Sequence, residues 1–342
     1  MTARLYYTDS YLRQFDGAVV SASEDRLRVT LDRTAFYPTS GGQLHDLGTL
    51  NGIRVSEVVE DEGGGIVHVL EKPLDGQSVA GEIDWDRRFD FMQQHSGQHL
   101  LSAVFEAMYG FKTVSVHMGE TSSTVDLETG AITREQLRAV EEAVNRAVVE
   151  NRPVSVGFED ASEAAGLRKA TERTGDLRIV TIDGCDRSAC GGTHVKATGE
   201  IGPVVLRKLD KIRGNVRVEF LCGLRAVRRA RLDYDALDAA ARVFNAQLDD
   251  VPALAASLAE QVKEAGKERR KLGLELAGLR GRQLWDSQEV SATGRRVYID
   301  ERASGALDDE VRALALSFTA QAGAAYIATS PDPPARSEAR RV

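Results

Sequence analysis

The chain has 342 residues, room for two or three domains, and its 42% hydrophobic and 28% charged fractions fit soluble domains with proper cores. A net charge of −8 gives no overall signature of a nucleic-acid binder, so local patches decide that question. No segment approaches the ~20 apolar residues of a membrane span, the N-terminus has no apolar run, and three cysteines point to a reducing cytoplasm rather than a disulfide framework.

Residues 1–88 are expected to be all-β. Leu27-Arg28-Val29-Thr30-Leu31 and Val55 to Val59 alternate, Ile66-Val67-His68-Val69-Leu70 is a buried-type run, and clusters such as Gly63-Gly64-Gly65 and Asp75-Gly76 separate them. Short strands at this spacing suggest a small barrel. One loop stands out, Thr34-Ala35-Phe36-Tyr37-Pro38-Thr39-Ser40-Gly41-Gly42-Gln43. Gly41 and Gly42 let the backbone approach another segment or a ligand closely, and an ordinary glycine turn is the alternative.

Residues 89–224 read as strands with helices packed on one side, a two-layer α/β sandwich in an α+β protein. From Asp90 to Met108, Phe91, Leu101, Val104, Phe105 and Met108 recur at helical spacing without a proline. On that helix His95 and His99 are four apart and share a face, so both imidazoles can reach one metal ion. Ser96 stands where His-Glu-x-x-His has its glutamate, which argues against a zinc protease of that type. Thr113 to Leu127 reads as two strands around Gly119-Glu120, with His117 on the first. Thr133-Arg134-Glu135-Gln136 is a capping box opening a helix that Pro153 ends. A strand over Val154 to Phe158, a helix over Asp160 to Arg173 and a strand over Leu177 to Ile182 follow. The chain then enters Cys190-Gly191-Gly192-Thr193-His194. Together the two pairs supply three imidazoles and one thiolate, a set that suits Zn²⁺.

Ile201 to Arg231 carries nine basic residues against two acidic ones, and Arg207, Lys208, Lys211, Arg213 and Arg217 lie nearest the Cys/His turn. A solvated basic face is the usual meaning of such a run; its position beside the metal turn also suits a phosphate backbone. Residues 225–285 read as two long helices. Val251, Leu258, Ala265, Leu272 and Leu279 repeat every seven residues, but Gln261 and Glu268 break the second stripe, so a helical hairpin arm is expected rather than a long coiled coil. Residues 286–342 read as a partial domain: a strand over Arg296 to Ile299, a helix over Asp308 to Thr319, a strand over Ala324 to Ala328 and a disordered tail from Pro331.

Taken together, the glycine loop, His95-Ser96-Gly97-Gln98-His99, Cys190-Gly191-Gly192-Thr193-His194, Glu200-Ile201-Gly202-Pro203 and Lys211-Ile212-Arg213-Gly214 resemble the alanyl-tRNA editing proteins of the AlaX type, similar to the editing domain of alanyl-tRNA synthetase. The resemblance covers roughly residues 5–225. Beyond Leu224 the chain looks like the arm and C-terminal domain of the longer members, without the glycine-rich element near that domain's end. The resemblance implies zinc at His95, His99, Cys190 and His194, and hydrolysis of Ser-tRNA(Ala) and Gly-tRNA(Ala) that spares correctly charged alanine. It implies substrate contacts from Thr34, Gly41, Gly42 and Gln43. Preferring serine over alanine needs a polar partner for the serine hydroxyl, and Thr34 is the candidate. His117 falls near the reacting ester and is the candidate catalytic residue; a tRNA hydroxyl is the alternative for activating water. A homodimer through the C-terminal region is also an expectation. Editing of another mischarged tRNA, and a tRNA-binding module with a structural zinc, remain the competing readings.

Overall fold

The computed structural model describes residues 2–169, 171, 174–301 and 307–330. It divides into two compact units, Met1–Tyr234 and Asp235–Val342.

The first unit opens with strand β1 (Ala3–Arg4), then β2 (Gln14–Ala22), β3 (Arg28–Leu31), β4 (Arg33–Thr34), β5 (Gly48–Leu50), β6 (Ile53–Glu60), β7 (Ile66–Leu70) and β8 (Ser78–Ile83). Six of these close into a barrel in the order β2-β3-β7-β6-β5-β8, and β1 pairs in parallel with β4 beside it. Alternation sets the faces: Val29, Leu31, Leu50, Val55, Val58 and Ile66 are sealed inside, as the pleat demands of every second residue.

Helix α1 (Trp85–Tyr109) follows at once, capped by Asp84, whose carboxylate accepts the Arg87 N–H at 3.2 Å, and stopped by Gly110 in a left-handed conformation. Strands β9 (Thr113–Met118) and β10 (Ser123–Leu127), helix α2 (Arg134–Val149), and strands β11 (Val154–Asp160), β12 (Asp176–Ile182), β13 (Asp186–Ala189), β14 (Val204–Ile212) and β15 (Asn215–Cys222) complete the second layer. They form a four-stranded antiparallel sheet, β14-β15-β10-β9, and a three-stranded sheet, β11-β12-β13. The capping box is made as expected: Thr133 Oγ1 accepts the Gln136 N–H, and Gln136 Oε1 accepts the Thr133 N–H. One apolar core joins α1, α2 and the large sheet through Leu100, Leu101, Phe105, Val140, Val144 and Phe220.

Two local departures from the expected pattern have physical causes. The segment Ala161–Lys169 is not helical. The Asp160 carboxylate takes the Ser162 N–H at 2.8 Å in a turn, and Gly166 has φ +70°; Arg173 lies outside the described residues. The middle of α1 is also less amphipathic than its ends suggest, because Phe91 to Ala103 is buried all round. Its polar residues are satisfied there: Gln94 accepts the Cys222 N–H at 2.9 Å and donates to the Cys222 carbonyl at 3.0 Å, like a strand partner.

The barrel is tied to α1 by a sealed ion pair. Arg88, 0% exposed, donates through Nε to Asp46 Oδ1 at 2.9 Å, through Nη1 to the Ser10 carbonyl at 2.9 Å and through Nη2 to the Ala35 carbonyl at 2.5 Å. Asp46 also takes the Tyr37 N–H at 2.5 Å. One guanidinium thus fixes the N-terminal segment, the glycine loop and the helix that carries the histidines.

Helix α3 (Gly223–Phe244) leaves the sheet, and the second unit contains α4 (Val251–Ser287), β16 (Arg296–Glu301), α5 (Asp309–Thr319) and β17 (Ala324–Thr329). Within that unit α5 packs on α4, and β16 pairs with β17 in parallel. The two long helices and the strand–helix–strand order match the reading of the sequence. The tail from Pro331 lies outside the described residues.

Candidate metal centre and cavity

Helix α1 delivers His95 and His99, and the turn after β13 delivers Cys190 and His194. Their ligating atoms all lie within 4.8 Å of one another. Cys190 Sγ is 3.4 Å from His95 Nε2 and 3.3 Å from His194 Nε2. Tetrahedral zinc with ordinary bond lengths needs N···S edges of about 3.5 Å, so the donor set fits.

Each imidazole is aimed by a second partner on its far nitrogen. His95 Nδ1–H donates to Gln43 Oε1 at 2.8 Å, His99 Nδ1–H to Asp186 Oδ2 at 2.8 Å, and His194 Nδ1–H to Ser96 Oγ at 3.1 Å. With each Nδ1 engaged, it is Nε2 of each ring that faces the centre and would be the ligating atom once a metal displaces any proton there. These partners are themselves held. Gln43 Nε2 donates to Thr193 Oγ1 at 2.9 Å, Asp186 takes Arg168 Nε at 2.6 Å, and Ser96 Oγ takes the Val195 N–H at 3.1 Å.

Charges in the cluster are strongly coupled. Burial pushes the Cys190 thiol up, but the imidazoles of His95, His194 and His99 outweigh it and hold the thiol well below its ordinary value. Burial opposes charge on His99, yet the facing Cys190 and Asp186 raise it to about 9. Burial drives His194 down to about 3. The thiolate form is thus favoured, as a metal requires.

Two glycines make the approach possible. A Cβ at Gly192 would lie 2.1 Å from His95 Cε1. At Gly42, φ is +85° and a Cβ would lie 2.7 Å from the Val116 carbonyl oxygen, so the glycine loop can lie against β9, where the Met118 N–H donates to the Gly42 carbonyl at 2.8 Å.

Three of the four donors, His95, His99 and Cys190, open on a cavity of about 620 Å³ between the barrel and the second layer. Its walls include Gly41, Gln98, Thr113 and Arg168. The other residues expected at the site are placed differently. Gln43 is sealed behind His95, and Gly42 packs on β9; neither lines the cavity. Thr34 is sealed in the barrel wall: His68 Nδ1–H donates to the Val29 carbonyl, so Thr34 Oγ1–H donates to His68 Nε2 at 2.8 Å while its oxygen accepts the Phe36 N–H at 3.1 Å. His117 is exposed on β9, opposite Thr124, and outside the cavity lining. Of the basic residues, Arg207 pairs with Glu219 at 3.1 Å and Arg217 grips Asp126 at 2.6 and 2.8 Å. Lys208, Lys211 and Arg213 are exposed on the β14–β15 hairpin and form no ion pair among the described residues.

Sequence reasoning missed Asp186, Arg168 and Gln98, and saw Ser96 only as a missing glutamate. Ser96 and Gln98 stood inside the histidine motif. Asp186, 87 residues from His99, carried no local signal.

The family described as the second additional domain of threonyl and alanyl tRNA synthetases matches residues 177–219, which contain the Cys/His turn. Alanyl-tRNA editing protein AlaX-L of Pyrococcus horikoshii is 33% identical over 300 residues, 84% of this chain and 72% of that protein. AlaX-M of Methanosarcina acetivorans is 36% identical over 245 residues, 64% of this chain and 98% of its own length. The alanine–tRNA ligase of Pyrococcus abyssi is 33% identical over 324 residues, which are 90% of this chain but 35% of the ligase. The fold and cluster define a barrel-plus-sandwich protein with a His₃Cys centre. The chain belongs to the family of alanyl-tRNA editing proteins. Among the described residues no helix is long and apolar enough to cross a membrane.

Proposed function

We propose that the protein is a trans-editing hydrolase of the cytoplasm that deacylates tRNA(Ala) mischarged with serine or glycine, with Zn²⁺ held by His95, His99, Cys190 and His194. The observation that carries this reading is the preorganised cluster itself: four donors, three of them facing a cavity of about 620 Å³, with the Nδ1 of every imidazole held by a side-chain partner. When bound, zinc supplies Lewis acidity and a positive centre for the substrate's amine or carbonyl oxygen.

The chain's own residues do the rest. Gly41 and β9 shape the mouth, and the walls keep bulk water from the ester. Because an aminoacyl ester is already activated, the site's main task is to orient it. His117 stands outside the cavity lining, so in this reading a tRNA hydroxyl activates the water. Lys208, Lys211 and Arg213 meet the phosphate backbone, joined by Arg207 and Arg217 where their carboxylate partners yield. We assign residues 1–88 to the barrel, 89–224 to the editing core, 225–285 to the arm and 286–342 to a partial C-terminal domain that supports a homodimer.

Metal analysis of the purified protein, with Ser-tRNA(Ala) hydrolysis measured before chelation, after it and after zinc is restored, tests the proposal. One zinc per chain and a loss of hydrolysis that zinc reverses are expected. Full activity in the metal-free protein would overturn the zinc assignment. Bound zinc without hydrolysis of any mischarged tRNA(Ala) would leave a binding module.

A further inference from the structure

We propose that Gln98 reads the seryl hydroxyl in the cavity, a specificity role that rests on the deacylase reading above. Gln98 lies on α1 three residues after His95 and one before His99, is 5% exposed and lines the cavity beside both. Its carboxamide is fixed in one orientation. Nε2–H donates to Ser102 Oγ at 2.8 Å, one helical turn on. Ser102 Oγ is held from the other side by Thr113 Oγ1 at 2.7 Å, and Thr113 also lines the cavity. Ser102 itself is sealed, so this bracket is not a solvent contact. With Nε2 engaged on Ser102, Oε1 is the end of the carboxamide left for a ligand in the cavity that Gln98 lines.

An amide oxygen facing the cavity is an acceptor that distinguishes serine from alanine. A seryl Oγ–H satisfies it. An alanyl methyl leaves it unpaired, and a site built to hydrogen-bond a hydroxyl penalises the analogue without one. The smaller glycyl group leaves room for a water on Oε1, which relieves that penalty. Thr34, the partner expected from the sequence, has its O–H committed to His68 and lies outside the lining.

The test compares wild type with Gln98→Met, which keeps the side chain's length and removes the acceptor. Single-turnover deacylation of Ser-, Gly- and Ala-tRNA(Ala) is read alongside binding of hydrolysis-resistant 3′-seryl- and 3′-alanyl-amido adenosine. Gln98→Met is expected to lower the Ser/Ala ratio about tenfold or more in both rate and affinity, through a slower seryl and an equal or faster alanyl reaction, with zinc content unchanged. An unchanged ratio in Gln98→Met overturns the inference, as does an equal fall for all three esters, which would mean that Gln98 holds the common amine. If Gln98→Met does not fold, Ser102→Ala frees the carboxamide to turn, and an unchanged ratio there overturns it equally. Failure of the deacylase reading is separate: wild type would then hydrolyse none of the three esters.

Discussion

At the scale of single residues, the cluster depends on oxygens that are not among its four donors. Gln43 Oε1, Asp186 Oδ2 and Ser96 Oγ each hold the Nδ1 of one histidine, which leaves Nε2 on the inward side. Replacing Gln43 by leucine removes the acceptor for His95 and the donor to Thr193 together. The expected result is a loss of zinc affinity of about 10- to 100-fold, read by competition with a chelator of known affinity; wild-type affinity in Gln43→Leu would show that His95 is oriented by packing alone. The four donors were legible in the sequence because residue type and i, i+4 spacing carry ligation chemistry locally. Their supports were not legible. Asp186 reaches His99 only after the chain has crossed two sheets, and Gln43 looks like a loop-end polar residue until Thr193 is brought against it.

At the scale of elements, buried polar contacts fix how barrel, loop and helix meet. Arg88→Met strips the sealed Asp46 of its counter-charge, and breaking one side of such a pair costs about 3–5 kcal/mol. Denaturant unfolding should show that loss as a lower midpoint; a midpoint within error of wild type would show that the pair contributes nothing to the join. The barrel also carries a pH dependence. Burial lowers the His68 pKa from 6.5 to about 4, so the folded state resists a proton that the unfolded chain accepts. Stability is therefore full above pH 6.5 and falls as pH drops toward 4, by about 3 kcal/mol in all. His68→Gln should abolish that part of the acid loss in unfolding measured across pH, and an unaltered acid slope would contradict it. Most elements were readable: alternation gave the barrel strands, and the capping box gave α2. The helix expected from Asp160 is not formed over 161–169, because propensity ignores the Asp160 turn and Gly166. The buried middle of α1 was hidden because Gln93, Gln94 and Gln98 look solvent-facing until their partners are known.

At the scale of the whole molecule, the site belongs to the unit Met1–Tyr234, and the unit Asp235–Val342 contributes none of its donors. Truncation after residue 247, which keeps α3 whole, should leave single-turnover hydrolysis of saturating Ser-tRNA(Ala) within about threefold of the full chain while weakening tRNA affinity and removing the proposed dimerisation. Unchanged affinity and oligomer mass would leave the second unit without either role. The +7 stretch in a chain of net charge −8 was visible in the sequence, but carboxylates hold Arg207 and Arg217 in the fold, which no linear count shows. The measurement that bears most directly on the whole reading is the single-turnover rate of Ser-tRNA(Ala) hydrolysis beside that of Ala-tRNA(Ala), in the zinc-loaded protein and in Cys190→Ala. Fast seryl release, slow alanyl release, and loss of both zinc and hydrolysis in Cys190→Ala are expected. Equal rates on the two esters, or full hydrolysis by a zinc-free Cys190→Ala protein, would contradict it.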